Sequence, residues 1–250
     1  MSEQRAIPPE RIDFAGDIPA LAWRATGSPP HPVIVSLHGL GGSKQDIDPD
    51  IAAYVTAHGI TLVTLDAHLH GDRAPAGGFD LDRFKEPEGF ADLITHTAHD
   101  VVALVAQLKE DPTVGTIGLR GGSVGGFIVL AAVGLGAEVG AVVSVCGGAD
   151  WAHTLVRVDD HEPVPVALQS AVQADPILHP ERFAPKPVLL MHGLYDDTVP
   201  IAGHRQLYEA LAPYYRERPG DCLFLTHAGQ HPTPMSLEAF GWTWLVEKIR

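Results

Sequence analysis

Apolar positions in this chain fall into short blocks that alternate with longer stretches of helical spacing. Val33 to Leu37, Ile60 to Leu65, Thr116 to Leu119, Ala141 to Cys146, Pro187 to Met191 and Cys222 to Thr226 are nearly continuous apolar runs. Strands buried on both faces of a parallel sheet read this way, without polar alternation. Upstream, Arg11 to Ala15 and Pro19 to Ala25 flank Gly16-Asp17 and predict an opening hairpin. Between the blocks, Asp46 to Ala57, Phe90 to Leu108, Val124 to Gly134, Ile201 to Leu211 and Met235 to Ile249 predict helices. Repeated strand–helix–strand order demands right-handed crossovers. The expected fold is therefore α/β: a three-layer α/β/α sandwich on a mostly parallel sheet of about eight strands.

Two stretches break the alternation. Gly71 to Glu88 is rich in Gly, Pro, Asp and Phe, and Gly147 to Pro185 holds Trp151, several prolines and the run Asp159-Asp160-His161-Glu162. Long connections at the carboxyl edge of a parallel sheet build clefts. They are read here as a small lid-like insertion, with a small cap over 147–185. Neither a linker nor a repeat divides the chain, so 1–250 is one expected domain.

Composition narrows the function. The 250 residues carry 17 Lys and Arg against 31 Asp and Glu, a net charge of −14. So acidic a chain lacks the basic clusters that a phosphate backbone requires, and no nucleic-acid partner is expected. The 2 cysteines, Cys146 and Cys222, lie in separate apolar runs, which excludes a disulfide framework and a four-thiolate zinc site. Met1-Ser2-Glu3-Gln4-Arg5 is polar, and the longest apolar run, Val124 to Ala137, falls short of the roughly 20 residues of a membrane span. No membrane partner is expected, and a cytoplasmic location is.

The chemistry begins after Leu119. Arg120-Gly121-Gly122-Ser123-Val124-Gly125-Gly126 is a G-x-S-x-G segment set between a strand and a helix. That setting lifts a serine hydroxyl off the sheet edge on a tight turn, with free N–H groups of the helix N-terminus beside it. Serine needs a base oriented by a carboxylate. Asp196 follows the strand ending at Met191, in Met191-His192-Gly193-Leu194-Tyr195-Asp196-Asp197, and His231 follows the last strand, in His227-Ala228-Gly229-Gln230-His231. The chain order Ser123, Asp196, His231 points to nucleophile, acid and base; Asp197 and Asp150 are alternative acids. His38-Gly39-Leu40-Gly41-Gly42, after the first parallel strand, places the Leu40 N–H to complete an oxyanion hole with that of Val124. His68, His70, His96 and His99, with Asp66 and Asp100 nearby, match no metal-ligand spacing, so no metal is expected.

Taken together, these stations resemble the α/β-hydrolase superfamily, in the small bacterial esterase branch near dienelactone hydrolases and prolyl-oligopeptidase-like hydrolases. The shared segments are Leu37 to Lys44, Asp66 with His70 to Arg73, Gly121 to Gly125, His192-Gly193 with Asp196 and Val199-Pro200, and Ala228 to His231. One residue departs from the pattern, Gln230 standing where glycine is common. The resemblance implies the same three roles for Ser123, Asp196 and His231, and a structural loop at Asp66 to Arg73.

The resulting expectation is a serine carboxylesterase that forms an acyl-enzyme on Ser123, without a cofactor, acting on a small-molecule ester. Phe79, Phe84 and Trp151 are candidate substrate walls, and the lack of a long apolar lid favours short acyl groups. Thioesterase, lactonase and peptidase activities share this machinery. A non-catalytic binding member of the fold is the alternative of another class.

Overall fold

The computed structural model describes residues 8–14, 18–151, 168–231 and 233–250. Eight strands form one sheet: β1 (Glu10–Phe14), β2 (Ile18–Trp23), β3 (His31–Leu37), β4 (Thr61–Leu65), β5 (Val114–Gly122), β6 (Ala141–Val145), β7 (Val188–Gly193) and β8 (Cys222–His227). Their spatial order is β1-β2-β4-β3-β5-β6-β7-β8. The β1–β2 and β2–β4 pairings are antiparallel and every other pairing is parallel. The expected hairpin is thus present at the sheet edge; its turn, 15–17, lies outside the described residues. The sheet, eight-stranded and covered by helices on both faces, is the expected α/β sandwich.

Six helices are described: α1 (Pro49–Ala57), α2 (Pro87–Glu110), α3 (Val124–Gly134), α4 (Gln169–Val172), α5 (Ala202–Leu211) and α6 (Met235–Ile249). Strand residues alternate between two cores. Val33, Val35 and Val142 face the core that holds α2, α3 and the Leu207–Leu211 face of α5. Ile34, Val143 and Val145 face the other, with Ala52 and Val55 of α1 and Trp242, Leu245 and Val246 of α6. All eleven residues of α3 are buried, which explains its lack of any polar stripe.

Two helices start three residues away from where the apolar period predicts. Helix α1 begins at Pro49 rather than Asp46, because Asp48 caps it: its carboxylate accepts the Asp50 N–H at 2.8 Å. Helix α2 begins at Pro87 rather than Phe90. Proline at the first helical position has no N–H to leave unsatisfied, and an apolar period cannot register it.

Most of the expected cap, 152–167, lies outside the described residues. Its flanks pack inward: the buried Asp175 carboxylate accepts the Asp150 and Ile177 N–H groups at 3.0 and 3.1 Å and also the Trp151 N–H. Burial, set against those three donors, pushes the Asp175 carboxyl up to about 6. No helix of the described residues is long and apolar enough to cross a membrane.

Candidate active site

The carboxyl ends of β5, β7 and β8 converge on one rim. At the end of β5, Ser123 adopts φ 54°, ψ −123°, a conformation costly for any residue with a Cβ. Neighbours hold it there. Its N–H donates to Val145 O at 2.7 Å, and its carbonyl accepts Gly126 N–H at 2.8 Å. The close approach of β5 to α3 depends on glycine. A Cβ on Gly121 would strike the carbonyl of Gly125, and one on Gly125 would lie 2.5 Å from Leu37 O.

From β8, His231 reaches back to this turn. Its Nε2 lies 2.9 Å from Ser123 Oγ, and its Nδ1 lies 2.8 Å from Asp196 Oδ2. The loop after β7 fixes Asp196, whose Oδ1 accepts the Thr198 and Val199 N–H groups at 3.0 and 2.8 Å. Burial pushes the Asp196 pKa up, but the Val199 N–H, His231 and the Thr198 N–H outweigh it and hold the carboxyl below its usual range. The structure therefore brings Ser123, His231 and Asp196 into one hydrogen-bonded chain. Asp197 instead turns to Thr198 Oγ1 at 3.4 Å, and His227 leaves Nε2 buried and unpartnered among the described residues. Gln230 is exposed, with Tyr195 N–H on the neighbouring Gly229 carbonyl at 2.9 Å, so the loop accommodates its side chain in solvent.

Cys146 serves packing here. Its thiol is buried, 3.1 Å from the His231 carbonyl and 3.4 Å from Thr233 Oγ1, and burial raises its pKa. Cys222 is likewise buried, its thiol pushed up to about 12 by desolvation.

Opposite Ser123 runs the loop after β3. His38 locks it: Nδ1–H donates to Gly39 O at 2.7 Å, while Nε2 accepts Ala67 N–H at 3.0 Å. Lys44 anchors its far end in the core, with Nζ 2.5 Å from Asp66 Oδ2 and 2.8 Å from Asp72 Oδ2. Among the described residues, neither the Leu40 nor the Val124 N–H is taken by a backbone carbonyl, and both residues line the cleft beside Ser123. Val124 opens α3, so its N–H carries the positive end of the helix dipole.

Two pockets share Ser123 and His231. The apolar one, about 530 Å³, is walled by Leu40, Phe84, Phe90, Val124, Phe127 and Val199. The polar one, about 300 Å³, includes Ser36, Thr64, Arg120, Thr233 and Glu238. Of the three aromatic walls expected, Phe84 lines the apolar pocket. Phe79 is 37% exposed and stacks on Phe84 with centroids 5.5 Å apart. Trp151 requires correction. It is 1% exposed in the core, because the clamp on Asp175 draws its backbone inward. Phe90 and Phe127, which meet edge to face at 5.6 Å, take the wall position instead. Both lie in the first turns of helices that read simply as apolar, so no sequence signal marks them.

Of the residues weighed as metal ligands, the two aspartates are engaged elsewhere and two of the histidines come together. Asp66 is committed to Lys44, and Asp100 lies 2.7 Å from Arg73. His68 and His96 stack at 17° and 4.6 Å, and their ligand nitrogens lie within 4.8 Å of each other and of an Asp92 oxygen.

This sheet, with a serine on the β5–α3 turn, defines an α/β hydrolase. The model of the prolyl oligopeptidase family matches residues 88–231, more than half of the chain, which therefore belongs to that family of esterase- and peptidase-type serine hydrolases. "Putative esterase YitV" of Bacillus subtilis (strain 168) is 25% identical over 208 residues, covering 78% of this chain and 80% of that protein. The crystal structure of TT1662 from Thermus thermophilus superposes with a TM-score of 0.76 at 23% identity, over 97% of this chain and 98% of that one. Acetyl xylan esterase 1 from Thermoanaerobacterium sp. JW/SL YS485 superposes with a TM-score of 0.73 at 20% identity, over 100% and 86%.

Proposed function

We propose that the chain hydrolyses small carboxylic esters with short acyl groups, through an acyl-enzyme on Ser123. The observation that carries this reading is the unbroken chain from Ser123 Oγ through His231 to Asp196, at 2.9 and 2.8 Å. Ser123 attacks the acyl carbon while His231 Nε2 takes its proton. Asp196 fixes the imidazole with Nδ1 protonated and stabilises the imidazolium that forms. The Leu40 and Val124 N–H groups receive the oxyanion, each such donor contributing roughly 3–4 kcal/mol to the transition state. His231 then protonates the departing alcohol, and water repeats the sequence on the acyl-enzyme. The acyl group occupies the apolar pocket and the alcohol leaves toward the polar one. The esterase names of YitV and of the acetyl xylan esterase support an ester substrate.

A fluorophosphonate probe and a series of p-nitrophenyl esters from acetyl to palmitoyl test this. Labelling at Ser123, and turnover highest for the short esters, are expected. Ser123→Ala lowers kcat by on the order of 10⁶-fold, as for a residue that acts with its partners as a unit. A Ser123→Ala protein that kept near wild-type turnover would overturn the reading.

A further inference from the structure

Behind Asp196 lies a second hydrogen-bonded chain, buried and separate from the cleft. His192, at the end of β7, places Nε2 3.0 Å from Val199 O and 3.2 Å from Asp196 Oδ2. Its Nδ1 lies 2.9 Å from Nδ1 of His204 on α5, whose Nε2 lies 2.9 Å from Ser144 Oγ on β6. Ser144 Oγ also stands 3.0 Å from Gly126 O, on the first turn of α3. His192, His204 and Ser144 are each fully buried.

Proton placement along this chain follows from what each atom can do. A carbonyl and a carboxylate only accept, so His192 Nε2 carries a hydrogen. Burial depresses the pKa of both rings, that of His204 strongly, so each ring holds one proton. His192 Nδ1 is then an acceptor and His204 Nδ1 the donor to it. His204 Nε2 is in turn an acceptor, and the Ser144 hydroxyl hydrogen is shared between it and Gly126 O, at 2.9 and 3.0 Å. Every donor in the series points the same way: Ser144 to His204, His204 to His192, and His192 to Val199 and Asp196. Each bond polarises the next.

We propose that His192 and His204, with Ser144 behind them, are positioning residues of the active site. They form a directional series of donors that holds the Asp196 carboxylate against His231 and sets how strongly that carboxylate draws the imidazolium. Asp196 Oδ2 is shared by two imidazoles, so the hydrogen supplied by His192 tempers the charge that His231 meets. This rests on the reading of His231 as the base. Among the described residues, the titratable groups facing His192 are Asp196, His204, His231 and the Cys146 thiol; β8 presents the Phe224 ring to His204.

The test compares His204→Leu with His204→Asn, whose amide keeps an N–H near the Nδ1 position. In His204→Leu, kcat for p-nitrophenyl acetate falls on the order of 10-fold or more, in the range seen when supporting partners of site residues are lost. KM stays near wild type, and the acid limb of the kcat/KM profile moves to higher pH because Asp196 is less tempered. His204→Asn restores the wild-type profile. In ¹⁵N-histidine NMR, His192 of the wild type shows a protonated Nε2 and a bare Nδ1, and His204→Leu loses that distinction. Equal profiles for the two variants, a His204→Leu limb that does not move, or a wild-type His192 protonated on Nδ1 alone overturns the proposal. Should the His204 variants fail to fold, Ser144→Ala decides: a smaller shift in the same direction supports the series, and none overturns it. Absence of Ser123 labelling in the wild type would strike the ester-hydrolase reading instead, and the NMR measurement would still judge the series.

Discussion

Lys44 places its ammonium 2.5 Å from Asp66 Oδ2, with the two side chains at 1% and 0% exposure. Asp66 is further tied to this segment by the Lys44 N–H at 2.7 Å, and Thr64 Oγ1 donates to the Lys44 carbonyl at 2.6 Å. The loop that carries Leu40 is thus fastened to the end of β4 by a buried ion pair. Lys44→Met leaves the Asp66 carboxylate without its countercharge. A loss of about 3–5 kcal/mol is expected, the usual cost of breaking a buried pair from one side. Urea unfolding of the two proteins measures it; a difference within about 0.5 kcal/mol, typical of a surface change, would contradict the fastening role.

Gly125→Ala drives a methyl group toward Leu37 O and His38 O, at 2.5 and 2.7 Å. Both carbonyls belong to the backbone that leads into the Leu40 loop, so they cannot turn aside. Folding that survives the change is expected to come with a displaced Ser123 turn and a fall in kcat of on the order of 10²-fold, as for a misplacement near 1 Å. Steady-state kinetics alongside circular dichroism separate that result from global unfolding.

Acid weakens this fold well above the range where carboxylates titrate. His38, His68, His70, His192 and His204 all have pKa values held below 6.5, in each case chiefly by desolvation. The unfolded chain therefore binds more protons than the folded one as pH drops below 6.5. Stability is complete above that point and declines toward the lower folded values. A fully buried histidine contributes a slope of up to about 1.4 kcal/mol per pH unit. Asp175 acts in the opposite sense: raised to about 6, it stays protonated in the fold where an unfolded carboxyl has ionised, but it is one group against several. Denaturant midpoints at pH 7.5 and 5.5 provide the check. A midpoint that held or rose at pH 5.5 would contradict these depressed values.

Phe84 is 6% exposed and walls the apolar pocket from the irregular segment before α2. Phe84→Ala deepens that side without touching Ser123 or His231. Octanoyl esters are expected to gain on acetyl esters in kcat/KM by about 10-fold or more, since each buried methylene is worth on the order of 1–3 kcal/mol of discrimination. An unchanged ratio would remove Phe84 from the acyl side of the cleft.

The succession of strands and helices along the chain and the three residues of the Ser123–His231–Asp196 chain were legible because each leaves a local mark. The strands read as short apolar runs, and Ser123, Asp196 and His231 each stand within a few residues of the end of one, β5, β7 and β8. Contacts assembled by packing leave no comparable mark. His204 sits twelve positions after His192 in a helix whose sequence gives no hint that Nδ1 faces Nδ1. Trp151 looks like a cleft wall in a proline-rich stretch, yet the three-way clamp on Asp175 pulls it into the core. The starts of α1 and α2 were displaced for a similar reason: they are fixed by proline at the first helical position, with a capping carboxylate as well at α1, and not by apolar spacing.

The left-handed φ of Ser123 has a consequence for any attempt to harden this protein by selection. A variant library sorted for heat resistance alone would favour glycine at that position, which relaxes a strain of about 1–3 kcal/mol while discarding the hydroxyl. Thermal screens of this scaffold therefore need a second, turnover-based sieve, because their most attractive winner at residue 123 would be an inert one.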